Sequence, residues 1–177
     1  QNYNNNTVYS LDNAFYTKNL MKVNFNKEDF IMVKNNLVKY KYIFYNKYLP
    51  PKRHKSKNII VHIRLGDAIN RNGQSKIKIQ LNKLLHKLKI EYSTYKTYIH
   101  TDGNIDFINN DYYDKIYKKK TPILQVLSDM LYSDILVCGM SSLSISCALI
   151  NMDRFILIPD NTTHYTFNTI TYSEYLN

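Results

Sequence analysis

Residues 58–70 read NIIVHIRLGDAIN. Ile59, Ile60 and Val61 make a short, nearly continuous apolar run, the pattern of a strand covered on both faces of a parallel sheet. The run then ends in His62, Arg64, Gly66 and Asp67. A strand end is polar either because it reaches water or because it holds a charged ligand. As a bare Arg-Asp pair it reads as an ordinary ion pair. As a ligand site, the Arg64 guanidinium offers a fixed fork of donors that matches a phosphate. Gly66 would let the backbone approach that ligand. His62 and Arg64 are two apart and would share a strand face, and Asp67 could orient Arg64 or accept a ligand hydroxyl.

Working outward, strands and helices alternate. The strand at 59–64 is followed by a loop over 65–75. Ser75 is placed to cap a helix running to about Ile90, with Ile77, Leu81, Leu84, Leu85 and Leu88 on one face. TYKTYIHTDG (94–103) is a second strand with a turn at Asp102-Gly103, and YDKIYKK (113–119) a weaker third. TPILQVLSDMLYS (121–133) opens a helix with Thr121 at the cap and Pro122 at the first helical position. DILVC (134–138) is a fourth strand, GMSS (139–142) a tight loop, SLSISCALINM (142–152) a buried helix and RFILIP (154–159) a fifth strand. The tail from Asp160 reads as irregular and polar. This order predicts an α/β, Rossmann-like parallel sheet with helices on both faces. Ligands in such sheets bind beyond the carboxyl ends of the strands, where the strand order reverses.

Upstream, residues 1–26 form a polar, Asn-rich lead-in. Residues 27–48 have helical spacing through Phe30, Val33, Leu37, Phe44 and Tyr48, and Pro50-Pro51 stops that helix before the charged connector KRHKSK. Two regions are therefore expected: 1–57, a lead-in with one helix, and 58–177, the Rossmann-like domain.

The 177 residues suffice for one real core. The formal charge is +10, from 24 basic and 14 acidic residues. This favours an anionic partner: nucleic acid, anionic lipid or a phosphorylated small molecule. An AT-rich codon bias would inflate lysine equally well, and the lysines are spread along the chain apart from Lys118-Lys119-Lys120. Cys138 and Cys147 sit in apolar sequence and read as small buried hydrophobes rather than a disulfide framework. No apolar run approaches the roughly 18 residues of a membrane span, and the first residues lack a signal-peptide core. As it stands the chain reads as cytoplasmic, with an anchor in a longer parent left open.

Three strand ends carry the remaining chemistry. In GMSSLSIS, Gly139 permits a tight turn, and Ser141 and Ser142 fall at a helix N-terminus whose backbone N–H groups suit an anion. A plain serine N-cap is the alternative. Asp102 either binds a sugar or ribose hydroxyl or makes the turn. His100 reads as packed. Asp129 and Asp134 could receive a base edge, but a solvated surface is the plainer reading. His54, His86 and His164 have no companion at metal-ligand spacing, and neither a Walker loop, a GxGxxG nor a GxSxG is present.

Together VHIRLGD, IHTDG and SDILVCGMSSLSIS resemble the nucleotide-sugar-binding C-terminal half of the α1,2/α1,6-fucosyltransferase-like superfamily, GT-B enzymes that use GDP-fucose. His62, Arg64, Gly66 and Asp67 fill its H-x-R-x-G-D motif, and Thr101-Asp102-Gly103 matches its acidic turn. Asp134, Ile135, Leu136, Val137, Ser141, Ser142 and Ser144 match its third pattern. The resemblance covers roughly residues 58–158. It implies that Arg64 binds the donor β-phosphate and that His62 contacts the nucleotide near ribose or base. Ser141 and Ser142 would hold the phosphates, with Gly66, Asp102 and Gly139 completing the donor site. The reaction implied is an inverting hexosyl transfer to a glycan hydroxyl, with no cofactor and no metal. Val126 stands where the family carries an acid for guanine, and Asp129, one helical turn later, is the candidate substitute. Asp67 is the only local candidate for a general base, since no acid lies between it and Glu91. The first 57 residues are too few for a full acceptor domain, so a fragment, a minimal enzyme and a degenerate copy all stay open. The competing functions are a non-catalytic nucleotide- or glycan-binding domain of the same fold, and a basic nucleic-acid-binding protein. The latter needs lysines and aromatics gathered on one face, which this sequence scatters; no nucleic-acid partner is expected.

Overall fold

The computed structural model describes residues 47, 50–66, 74–139, 141–150, 154–160 and 169–177. The helix expected over 27–48 falls outside them except for Lys47, as do Asp67 and His164. Strands β1 (Asn58–Ile63), β2 (Lys96–Thr101), β3 (Lys115–Tyr117), β4 (Ile135–Cys138), β5 (Phe155–Ile158) and β6 (Thr169–Thr171) form one sheet in the order β3-β2-β1-β4-β5-β6. Every neighbouring pair is parallel. The helices are α1 (Gln74–Glu91), α2 (Ile123–Leu131), α3 (Ser142–Ile150) and α4 (Tyr172–Leu176), with a 3-10 turn at Asn110–Tyr112. This is the doubly wound, Rossmann-like sheet that the alternation predicts, and its order reverses between β1 and β4.

Alternation along the strands divides the core. Ile59, Val61 and Ile63 point to one face with Ile99, Ile135, Val137 and Leu157. They meet Leu81, Leu84, Leu85 and Leu88 of α1, each at most 1% exposed. Ile60, Leu136, Cys138, Ile156 and Ile158 point the other way and meet Met130 and Leu131 of α2 and Ile145, Cys147 and Ala148 of α3. Burial of this kind is worth roughly 1.5–3 kcal/mol per large aliphatic side chain. On the second face the apolar series of β1 stops at Ile60, and His62 takes the next place. The chemistry starts where that series ends.

Both cysteines are free and buried. Burial pushes both thiols up, Cys147 to about 12, so they behave as small apolar residues.

Three expectations need correction. The tail is not irregular throughout, since residues 169–176 make β6 and α4. Thr171 and Glu174 form a capping box: the Thr171 hydroxyl accepts from Glu174 N–H, and the Glu174 carboxylate accepts from Thr171 N–H at 2.8 Å. Asp160 accepts from Ser173 N–H at 2.8 Å and from Gln80 of α1 at 2.6 Å, and the buried Tyr172 hydroxyl donates to the Cys138 carbonyl. Second, α2 begins at Ile123 with Pro122, not Thr121, at the N-cap, and no side chain caps it. Third, α1 already begins at Gln74, so Ser75 lies inside it.

Candidate functional site

A cleft of about 260 Å³ opens at the carboxyl ends of β1, β2 and β3, against the N-termini of α2 and α3. His62 and Arg64 reach it from β1, Thr101 and Asp102 from β2, and Ser141 from the β4–α3 loop. The sequence-predicted residues His62, Arg64, Asp102 and Ser141 thus meet in one place, beside the reversal in strand order. Gly66 and Gly139 are not among its walls. Ser142 opens α3, and its side chain is outside the described set. The structure adds His100, Tyr117, Lys118, Lys119, Thr121 and Val126. Among the described lining residues three cations, Arg64, Lys118 and Lys119, stand against one acid, Asp102, so this wall is basic. A second hollow of about 490 Å³ shares Asp102, Lys118 and Lys119 with it.

Each loop is set by local chemistry. The Asp102 carboxylate accepts from the backbone N–H groups of Leu65 at 2.6 Å and Gly66 at 2.9 Å. It fixes the loop that carries Arg64, which sits just beyond the last strand residue. A Cβ on Gly66 would lie 3.0 Å from the same carboxylate, and one on Gly139 would lie 2.6 Å from the His62 carbonyl oxygen. Gly139 N–H donates to that carbonyl at 2.7 Å. The missing Cβ of Gly66 makes room for Asp102 rather than for a ligand, which corrects its sequence reading, and that of Gly139 lets two backbones meet, in keeping with a tight turn. Ser141 is buried just ahead of α3. Its N–H donates to the Gly139 carbonyl at 2.8 Å, and its own carbonyl accepts from Ile145 N–H at 3.1 Å. The Ser141 N–H is therefore already engaged, contrary to the expected free anion donor, and Ser141 offers its hydroxyl.

Asp129 overturns its reading as a solvated acid. Its side chain has no exposure. It accepts from His100 Nε2 at 2.9 Å, Gln125 Nε2 at 3.0 Å and Arg53 Nε at 3.3 Å, and pairs again with the Arg53 terminal nitrogen. His54 Nε2 stands 3.7 Å away. Burial pushes this carboxyl up, but the hydrogen bonds from His100, Arg53 and Gln125 and the Arg53 charge outweigh it and hold the group below its ordinary value. Both oxygens are occupied inside the protein, so Asp129 cannot replace the guanine-binding acid. Val126 does line the cleft and presents an apolar wall there. Asp134 is likewise structural. It accepts from Asn58 N–H at 2.8 Å at the opposite end of the sheet.

His62 is partly buried. Burial, then the neighbouring His100 and Arg64, lower its pKa to about 4 against the pull of Asp102; the ring is neutral at pH 7. Among the described residues no group of three or more His, Cys, Asp or Glu is arranged to hold a metal ion. None of their helices is long and apolar enough to cross a membrane.

No protein-family model matches the chain, and no curated protein matches it. Among solved structures it is similar to E. coli ADP-heptose LPS heptosyltransferase II, at 14% identity and TM-score 0.47, over 75% of this chain and 42% of that one. It is also similar to POFUT1 in complex with GDP-fucose, at 9% identity and TM-score 0.41, over 82% of this chain and 49% of that one. A POFUT1 complex with GDP matches at 9% identity and TM-score 0.40, over 83% and 52%. The chain spans about half the length of these glycosyltransferase structures or less.

Proposed function

We propose that this chain is the donor-binding half of a glycosyltransferase that moves fucose from GDP-fucose to a sugar hydroxyl with inversion. The observation that carries the reading is the convergence of His62 and Arg64, Thr101 and Asp102, and Ser141 on one basic cleft at the strand-order reversal. In such a transfer the acceptor oxygen bonds to the anomeric carbon as the bond to the diphosphate oxygen breaks. Negative charge grows on the departing β-phosphate. The Arg64 guanidinium, with Lys118 and Lys119 beside it, would stabilise that charge from fixed positions. Asp67 is the candidate base for the acceptor hydroxyl proton, on the strength of the motif alone. A non-catalytic nucleotide-binding domain is the second reading, favoured by the apolar Val126 wall and the closed Asp129.

Calorimetric titration with GDP-fucose, GDP, GDP-mannose and UDP-galactose tests the donor site. Guanine nucleotides are expected to bind in the micromolar range, with GDP-fucose tightest. Absence of binding by all four contradicts the proposal. Binding without fucose transfer to any glycan acceptor supports the second reading.

A further inference from the structure

His62 and His100 are Cα partners in the β1–β2 register, and both line the cleft. Their rings therefore stand side by side on one face of the sheet. The sequence motifs give His100 no part in the site, yet it is among the most firmly held side chains there. Asp129 accepts from its Nε2 at 2.9 Å. The Tyr117 ring stacks on it at 4.9 Å and 19°. Asp129 is itself clamped by Arg53 and Gln125, so neither partner of the bond is free to swing.

This arrangement fixes the proton. A carboxylate can only accept, so Nε2 carries the hydrogen, and in the neutral imidazole Nδ1 is the lone-pair nitrogen. The Nδ1 atoms of His62 and His100 are both buried without a hydrogen-bond partner among the described residues. Most buried polar atoms are paired, and leaving one without a partner is costly. Two such orphans on register partners that line one cleft are the groups a bound ligand would pair. His100 offers an acceptor, and the His62 ring can place its proton on Nδ1 and donate. The complement is a group that donates and accepts at once, which a hydroxyl does.

We propose that His62 and His100 together bind one hydroxyl of the sugar nucleotide, with His100 held as its acceptor by Asp129, which makes His100 a specificity-determining residue. The inference rests on the donor-site reading above and extends it to the polar groups of the ligand. The hydroxyl belongs either to the ribose or to the transferred sugar.

The test is calorimetric titration of wild type, His100→Gln and His100→Asn with GDP, GDP-fucose, 2′-deoxy-GDP and 3′-deoxy-GDP. Glutamine places its amide near the Nε2 position, so it keeps the bond to Asp129 and loses the Nδ1 acceptor. Asparagine places its amide oxygen near Nδ1. His100→Gln is expected to weaken GDP-fucose about tenfold or more, and His100→Asn less. If the hydroxyl is on ribose, one deoxy analogue binds wild type weakly and His100→Gln abolishes that difference. If it is on the sugar, His100→Gln weakens GDP-fucose and leaves GDP unchanged. Unchanged GDP-fucose affinity in a folded His100→Gln overturns the inference and leaves the donor site standing. Absence of nucleotide binding by wild type overturns both. Should His100→Gln fail to fold, ¹⁵N spectra of wild-type imidazoles decide. The account predicts an Nε2–H tautomer whose Nδ1 signal moves on adding GDP-fucose. An unmoved Nδ1 at saturation overturns it.

Discussion

The two ends of the sheet are built on opposite plans. At the amino ends, acids close the strands onto one another. Asp134 accepts from Asn58 N–H at 2.8 Å while its own N–H donates to the Asn58 carbonyl at 3.1 Å. Asp114 and Thr97 repeat the exchange at 2.8 Å in each direction. At the carboxyl ends, Asp102 ties down a loop, glycines let backbones touch, and cations and two histidines with unpaired Nδ1 atoms line a cleft. Acids of the same type act as latches at one end and as supports for a basic site at the other. Proximity in sequence to a strand end therefore says little until the end is specified.

The largest expected effect tests the support behind the cleft. Asp129→Ala leaves Arg53, His100 and Gln125 without their acceptor, and removing one partner of a buried charged network costs about 3–5 kcal/mol. Urea denaturation should show that loss, with donor binding weakened as well. Next comes pH. The folded state holds His62 at about 4, whereas an unfolded histidine titrates near 6.5. Between these values the unfolded chain binds more protons, so stability should fall as pH drops from about 6.5 to 4, by at most about 3 kcal/mol. His62→Gln should flatten that part of the stability–pH curve. Arg64→Ala should weaken GDP-fucose by about 2–4 kcal/mol while moving the unfolding free energy by under about 1 kcal/mol, since Arg64 is exposed. The smallest effect belongs to the amino end. Asp134→Ala should cost about 1 kcal/mol of stability for its latch and leave donor affinity unchanged, which a paired melting and calorimetry experiment can check.

The doubly wound sheet was legible because β4 and β5 are unbroken apolar runs, β1 carries the run Ile59–Val61, and α1 carries four leucines at helical spacing. β6 and α4 were missed because Thr169-Ile170-Thr171 is too short for a period, and Tyr172 and Asp160 hold it through contacts far along the chain. The T-x-x-E of Thr171–Glu174 was the one local signal available. His62, Arg64, Asp102 and Ser141 could be read as a site because each ends or follows a strand. The part of His100 could not, because its partner Asp129 lies 29 residues on, and Arg53 reaches the same carboxylate across 76. Nor does sequence reveal what occupies the space left by a glycine's missing Cβ; here it is Asp102 for Gly66 and the His62 carbonyl for Gly139.

The central claim is that the carboxyl ends of β1, β2 and β4 hold a nucleotide-sugar donor. The most direct measurement is an amide NMR titration with GDP-fucose. The account predicts saturable shifts at Arg64, Thr101, Gly103, Ser141 and Leu143, with Asn58, Asp114 and Asp134 unmoved. Shifts centred on Asn58 and Asp134, or none at saturating ligand, would contradict it.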